Sequence, residues 1–102
     1  MIEIFHAPRR QGKTTHALQM LRDNENAALI CHVGNRVAQI SNENKDLESR
    51  IHSAYCFRNK FIGRNYDEVI IDDGDCIQLS LLLDLIIFFQ SRNIKITITT
   101  TM

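Results

Sequence analysis

This chain has no excess charge of either sign. Its 12 lysines and arginines are matched by 12 aspartates and glutamates over 102 residues. That excludes a whole-domain electrostatic pull toward nucleic acid. A local basic face is a separate matter: Arg58, Lys60 and Arg64 crowd one segment, with Phe57 and Phe61 between them. The plainer expectation there is a solvated loop with two core aromatics. Cysteine is scarce and scattered. Cys31, Cys56 and Cys76 form no Cys-x-x-Cys pair, and His6, His16, His32 and His52 show no metal-ligand spacing. A zinc site and a disulfide framework are therefore not expected; reduced cysteines serving as small hydrophobes in a cytoplasmic protein are. The apolar run from Cys76 to Phe89 is too short to span a bilayer and is broken by Gln78, Ser80 and Asp84, so no membrane partner is expected. A signal peptide is not expected either, because the first residues already read as a strand and a turn. Repeats and low-complexity segments are missing. With 44% hydrophobic residues, the expectation is a single domain over residues 1–102.

What is present begins at Ala7-Pro8-Arg9-Arg10-Gln11-Gly12-Lys13-Thr14-Thr15. The apolar run Ile2 to His6 precedes it, and the helix-like Thr15 to Leu21 follows. Strand, small-residue turn, Gly-Lys-Thr, helix is the order that builds a phosphate cradle. The turn points successive backbone N–H groups into a concavity, and the helix N-terminus adds partial positive charge. Gly12 lets the backbone approach phosphate closely. Lys13 is expected to reach the β- and γ-phosphates, and the Thr14 hydroxyl to hold a magnesium ion. The pattern G-x-x-x-x-G-K-[ST] is met except that Ala7 fills the first glycine position.

Along the chain, strands alternate with helices. Strand signals cover Ile2–His6, Ala27–Val33, Glu68–Asp73 and Ile94–Thr99, with a weaker one over Ile51–Phe57. Helices are expected over about Lys13–Arg22, from Arg36 to Ile40, and over about Ile77–Gln90. Ser41–Arg50 reads as a surface loop or a second helical piece around Leu47. The last helix is apolar nearly all round, which points to burial on most sides, against a partner chain in so small a domain. The alternation implies an α/β, three-layer αβα sandwich around a mainly parallel sheet of four to five strands.

Val69-Ile70-Ile71 ends in Asp72 and Asp73. In P-loop NTPases, which these pieces resemble, an acid at the end of a buried strand holds the cradle's magnesium through water. The resemblance implies that role for Asp72. It implies for Asp73 the orienting of the attacking water, with a side chain one methylene shorter than the glutamate often found there.

With these pieces in this order, the chain resembles the RecA-like ATPase core of P-loop NTPases, shared by superfamily one and two helicases and viral terminase large subunits. Ala7–Thr14 is similar to Walker A and Val69–Asp73 to Walker B. The resemblance to terminases implies that Arg9 or Arg10 contacts the γ-phosphate. Leu29–Gln39 is similar to helicase motif Ia, a nucleic-acid contact. Thr97–Thr101 looks like motif III, which couples hydrolysis to motion. The resemblance implies binding and hydrolysis of ATP with Mg2+, in a viral or mobile-element nucleic-acid process. It implies DNA or RNA as a partner, directly or through another protein, and the cytoplasm as location (the host's, if viral).

The departures are as informative. No second domain supplies a trans arginine. By the resemblance, the final strand inserts between the Ile2–His6 strand and the Asp72 strand, which leaves the former as a bare edge and suggests a homo-oligomer or larger complex. Two alternatives stand beside the ATPase. One is a nucleotide-binding module without efficient hydrolysis, favoured by Asp73 in place of glutamate. The other is a small kinase, because the cradle and Tyr66–Asp72 also resemble type II thymidine kinases, though their zinc-bearing lasso has no counterpart here.

Overall fold

The computed structural model describes residues 2–7, 12–55 and 66–101. Its elements, in chain order, are β1 (Ile2–Ala7), α1 (Lys13–Asp23), β2 (Ala27–Cys31), α2 (Gly34–Glu43) and a 3₁₀ helix (Lys45–Arg50). Then come β3 (Ile51–Ser53), β4 (Glu68–Ile71), one 3₁₀ turn (Gly74–Cys76), α3 (Leu79–Gln90) and β5 (Lys95–Thr101). The five strands form one sheet in the order β1-β5-β4-β2-β3, with every pairing parallel. The last strand lies between the first and the fourth, as the resemblance implies, and β1 is an edge.

Parallel strands buried on both faces read as continuous apolar runs, and alternate residues divide between two cores. Ala28, Ile30, Val69, Ile71, Ile96 and Ile98 pack with Leu85 and Phe89 of α3. Ala27, Leu29, Cys31 and Ile70 face the other way and pack with Ala17 and Leu21 of α1, Ile40 of α2 and Leu47. The result is the expected α/β sandwich of three layers. Each fully buried leucine or phenylalanine contributes about 1.5–3 kcal/mol by leaving water.

Local chemistry sets the boundaries. Gly12 begins α1 with φ 76°, in the left-handed region that glycine enters without steric cost. Arg50 donates to the carbonyls of Leu21, Asn24 and Ala27, which ties the end of α1 to the start of β2. Lys95 sits between Glu3 at 3.5 Å and Glu68 at 3.8 Å, a charged rung across β1, β5 and β4. Such exposed pairs add little stability, but this one accompanies the strand order.

Several boundaries differ from the sequence expectation. β2 stops at Cys31 and β4 at Ile71, so His32, Asp72 and Asp73 stand just past the strand ends. α2 begins earlier and runs three residues further than Ile40. Ser41–Arg50 is helical at both ends, with Leu47 buried. α3 buries one face only: Leu85 and Phe89 are inside, while Leu79, Leu83 and Ile87 are exposed on the outer side. Ile2 and Ile4 are in register with Ile96 and Ile98, and so share the α3 side of the sheet. α3 reaches β2, β4 and β5 but leaves Ile4 57% exposed. Among the described residues, no strand pairs with the outer side of β1, and Ile2 and Ile4 are exposed. The Pro8–Gln11 part of the cradle and the basic segment with Cys56, Phe57, Arg58, Lys60, Phe61 and Arg64 lie outside the described residues.

Candidate phosphate and metal site

Parallel topology puts the C-terminal ends of β1, β5, β4 and β2 along one edge of the sheet. Ligands of open α/β sheets bind outside such an edge. Ala7 closes β1 there, and Gly12, Lys13, Thr14 and Thr15 open α1. The His16 N–H donates to the Gly12 carbonyl at 2.8 Å, and the earlier N–H groups of α1 have no acceptor within the helix, as at any helix start. Arg9 and Arg10 fall in the undescribed part of the loop.

Asp72 is the centre of the site. It is 1% exposed, and both carboxylate oxygens accept hydrogen bonds. Thr14 Oγ1 donates to Oδ2 at 3.1 Å and Thr99 Oγ1 donates to Oδ1 at 2.5 Å. The Asp72 N–H continues the ladder to the Ile30 carbonyl. Residues 14, 72 and 99 come from three separate parts of the chain and meet in one row, with Asp72 and Thr99 buried and Thr14 half-buried. Thr14 and Asp72 are the two sequence candidates for metal, and their oxygens are in contact. Hard oxygen donors of this kind suit Mg2+.

Asp73 follows in the left-handed region at φ 56°, a conformation that aspartate tolerates better than most residues. Its N–H donates to Thr99 Oγ1 at 3.0 Å. One hydroxyl therefore bridges the two acids: it gives its proton to Asp72 and accepts from the Asp73 backbone. Asp73 Oδ2 lies 3.7 Å from His32 Nδ1. Gly74 comes next, and a Cβ there would lie 2.4 Å from Ile98 Cγ2. Only a glycine passes so close to β5.

Some of this constellation escaped the sequence reading. The sequence places Thr99 in the segment similar to motif III and carries no signal of its contact with Asp72. His32 was set aside for want of ligand spacing. Arg36 was assigned to a nucleic-acid contact, yet its Nη2 donates to Thr14 Oγ1 at 2.9 Å. The only available signal was position: His32 and Arg36 directly follow a strand that ends at the site. Asp73, Asp75 and Cys76 also cluster; exposed acids commonly do so without binding an ion.

Cys31 ends β2 beneath the site. Burial, helped by the Asp72 carboxylate, pushes its thiol from an ordinary 9.0 up to about 12. The folded protein holds this proton more tightly than the unfolded chain does. The thiol's contribution to stability is therefore intact below pH 9.0 and is lost as pH rises from there toward 12. At about pH 8, where exposed thiols carry appreciable thiolate, iodoacetamide is expected to label exposed Cys76 and spare Cys31. Peptide mapping checks this, and equal labelling of both in the native protein would contradict it.

No protein-family model matches the chain, and no curated protein is significantly similar to it. Among the described residues, no helix is long and apolar enough to cross a membrane.

Proposed function

We propose that this chain binds a nucleoside triphosphate with Mg2+, ATP first, and hydrolyses it as a small RecA-like P-loop ATPase serving a nucleic-acid process. The observation that carries the reading is the Thr14–Asp72 hydrogen bond across 58 residues of sequence. It joins the hydroxyl of a Gly-Lys-Thr turn to the acid ending a buried strand, the pair that P-loop enzymes use on one metal. Thr14 would hold the ion directly and Asp72 through water. When bound, the ion supplies positive charge against the β- and γ-phosphates. Gly12 lets the backbone close on phosphate, the α1 N-terminus favours negative charge, and Lys13 stabilises charge on the transferred group. Thr99 holds Asp72 in place and fixes the turn that presents Asp73, which orients the attacking water.

Phosphate release tests this, measured with and without single-stranded and duplex DNA and compared with Lys13→Ala. Turnover equal to that variant under every condition would remove the hydrolysis claim. Calorimetry with Mg-ATP and Mg-GTP tests binding separately. A second reading, binding without efficient turnover, is favoured by one observation: the short Asp73 side chain lies beside His32. Tight ATP binding with turnover no greater than Lys13→Ala would establish it.

A further inference from the structure

Resting on the nucleotide-binding reading above, we infer that Arg36 is a phosphate-contacting residue supplied in cis, which takes the terminal phosphate of the bound triphosphate from the α2 side. It stands in the first turn of α2 (Gly34–Glu43), which starts three residues beyond the end of β2. β2 neighbours β4, so the fold carries Arg36 to the edge that presents Thr14 and Asp72.

Two features of its guanidinium point to an anion. First, its hydrogen bonds are to neutral acceptors: Nη2 to Thr14 Oγ1 at 2.9 Å, and Nη1 to Gln39 Oε1 at 3.0 Å. Among the described residues, no carboxylate pairs with it. A half-buried arginine with only neutral partners still has its charge to place, and the fork of N–H groups matches phosphate in two-pronged fashion.

Second, it shares an oxygen with the metal candidate. A threonine hydroxyl has one proton and two lone pairs. The Thr14 proton goes to Asp72 and one lone pair to Arg36. If Thr14 held magnesium through the same oxygen, the Arg36 guanidinium would be displaced from it by like charge and would be free to pair with the phosphate oxygens. The terminal phosphate is the one assigned, because a metal held by Thr14 would serve the transferred phosphoryl group. Gln39 keeps the side chain tethered from one turn along the helix.

The test titrates Mg-ATP and Mg-ADP by calorimetry into the parent, Arg36→Ala, Arg36→Lys and Lys13→Ala. Circular dichroism confirms that each is folded. The parent is expected to prefer ATP. Arg36→Ala is expected to lose about tenfold or more in ATP affinity and little in ADP affinity, so the preference collapses. Arg36→Lys recovers only part of it, since an ammonium lacks the fork. Arg36→Ala with the parent's full ATP preference, equal losses for both nucleotides, or a parent with no preference would each overturn the assignment. A parent that binds neither nucleotide is a different failure: the nucleotide-binding reading itself falls, and the role of Arg36 with it.

Discussion

Asparagine at position 72 is expected to leave the fold standing and to remove the magnesium dependence of nucleotide binding. The substitution keeps the shape of the side chain. Thr99 can go on donating to the remaining carbonyl oxygen, and the Thr14 hydroxyl can rotate to accept from the new amide. The lost contacts are hydrogen bonds to a charged acceptor, about twice as strong as neutral ones, but the fold also escapes the cost of a buried carboxylate. Those two effects oppose each other, so the melting temperature is expected to move little. The metal has no such compensation. On the proposed reading Asp72 would act on it through water, and outer-shell carboxylates of this kind are worth about 10–100-fold in metal affinity. The measurement is nucleotide affinity with Mg2+ and with EDTA for parent and Asp72→Asn. The parent's ratio is expected to fall toward one in the variant. An unchanged ratio in a folded variant would remove Asp72 from the metal site.

The second large effect is expected at Gly74, where a single methyl group destabilises the protein. The Cβ of Gly74→Ala would lie 2.4 Å from Ile98 Cγ2 and 3.6 Å from the Thr99 carbonyl. Ile98 is β-branched, 5% exposed and packed in the α3-side core, so its methyl cannot swing aside. Overpacking of this kind costs about 1–3 kcal/mol. The gain from stiffening the unfolded chain is about 0.4–1 kcal/mol, so the clash wins. The strain falls on the turn that holds Asp73 against Thr99, and the site should suffer along with stability. Urea denaturation measures the cost. Ile98→Ala alone should cost about 2–5 kcal/mol as a cavity, and the double variant less than the two singles together. Strict additivity would rule out the steric cause.

How much of this was legible in the sequence follows from which contacts are local. β1, α1, β2, β4, α3 and β5 announce themselves because each is a continuous or periodic apolar segment bounded by polar turns. The helix start at Gly12 and Lys13 is legible because a glycine turn opening a helix is a local object. β3 is short and was a weak signal over Ile51–Phe57; its described part is Ile51–Ser53. The extent of α2 was hidden by its polar second half, Ser41–Glu43, which looks like a loop until Ile40 and Ser41 are seen buried. The Thr99 bridge was hidden for a different reason. It depends on β5 lying directly beside β4, a long-range fact that put a hydroxyl 27 residues away onto Asp72. Arg36 was hidden because side-chain direction at a helix start is not written in residue order. The helix that reads as apolar all round divides into an inner face, with Leu85 and Phe89 buried, and an outer face, with Leu79, Leu83 and Ile87 exposed within the single chain; the expected burial of that outer face against a partner concerns contacts beyond this chain.

The order of the strands has a consequence for how the protein is made. Among the described strands β1 has one sheet neighbour, β5, the last of the described elements to be translated. β2, β3 and β4 can pair with one another first, whereas β1 finds its sheet partner when β5 has emerged. Pairings between chain-distant strands are slow to form, so this opening strand is the part of the molecule most dependent on protection from other chains during its birth.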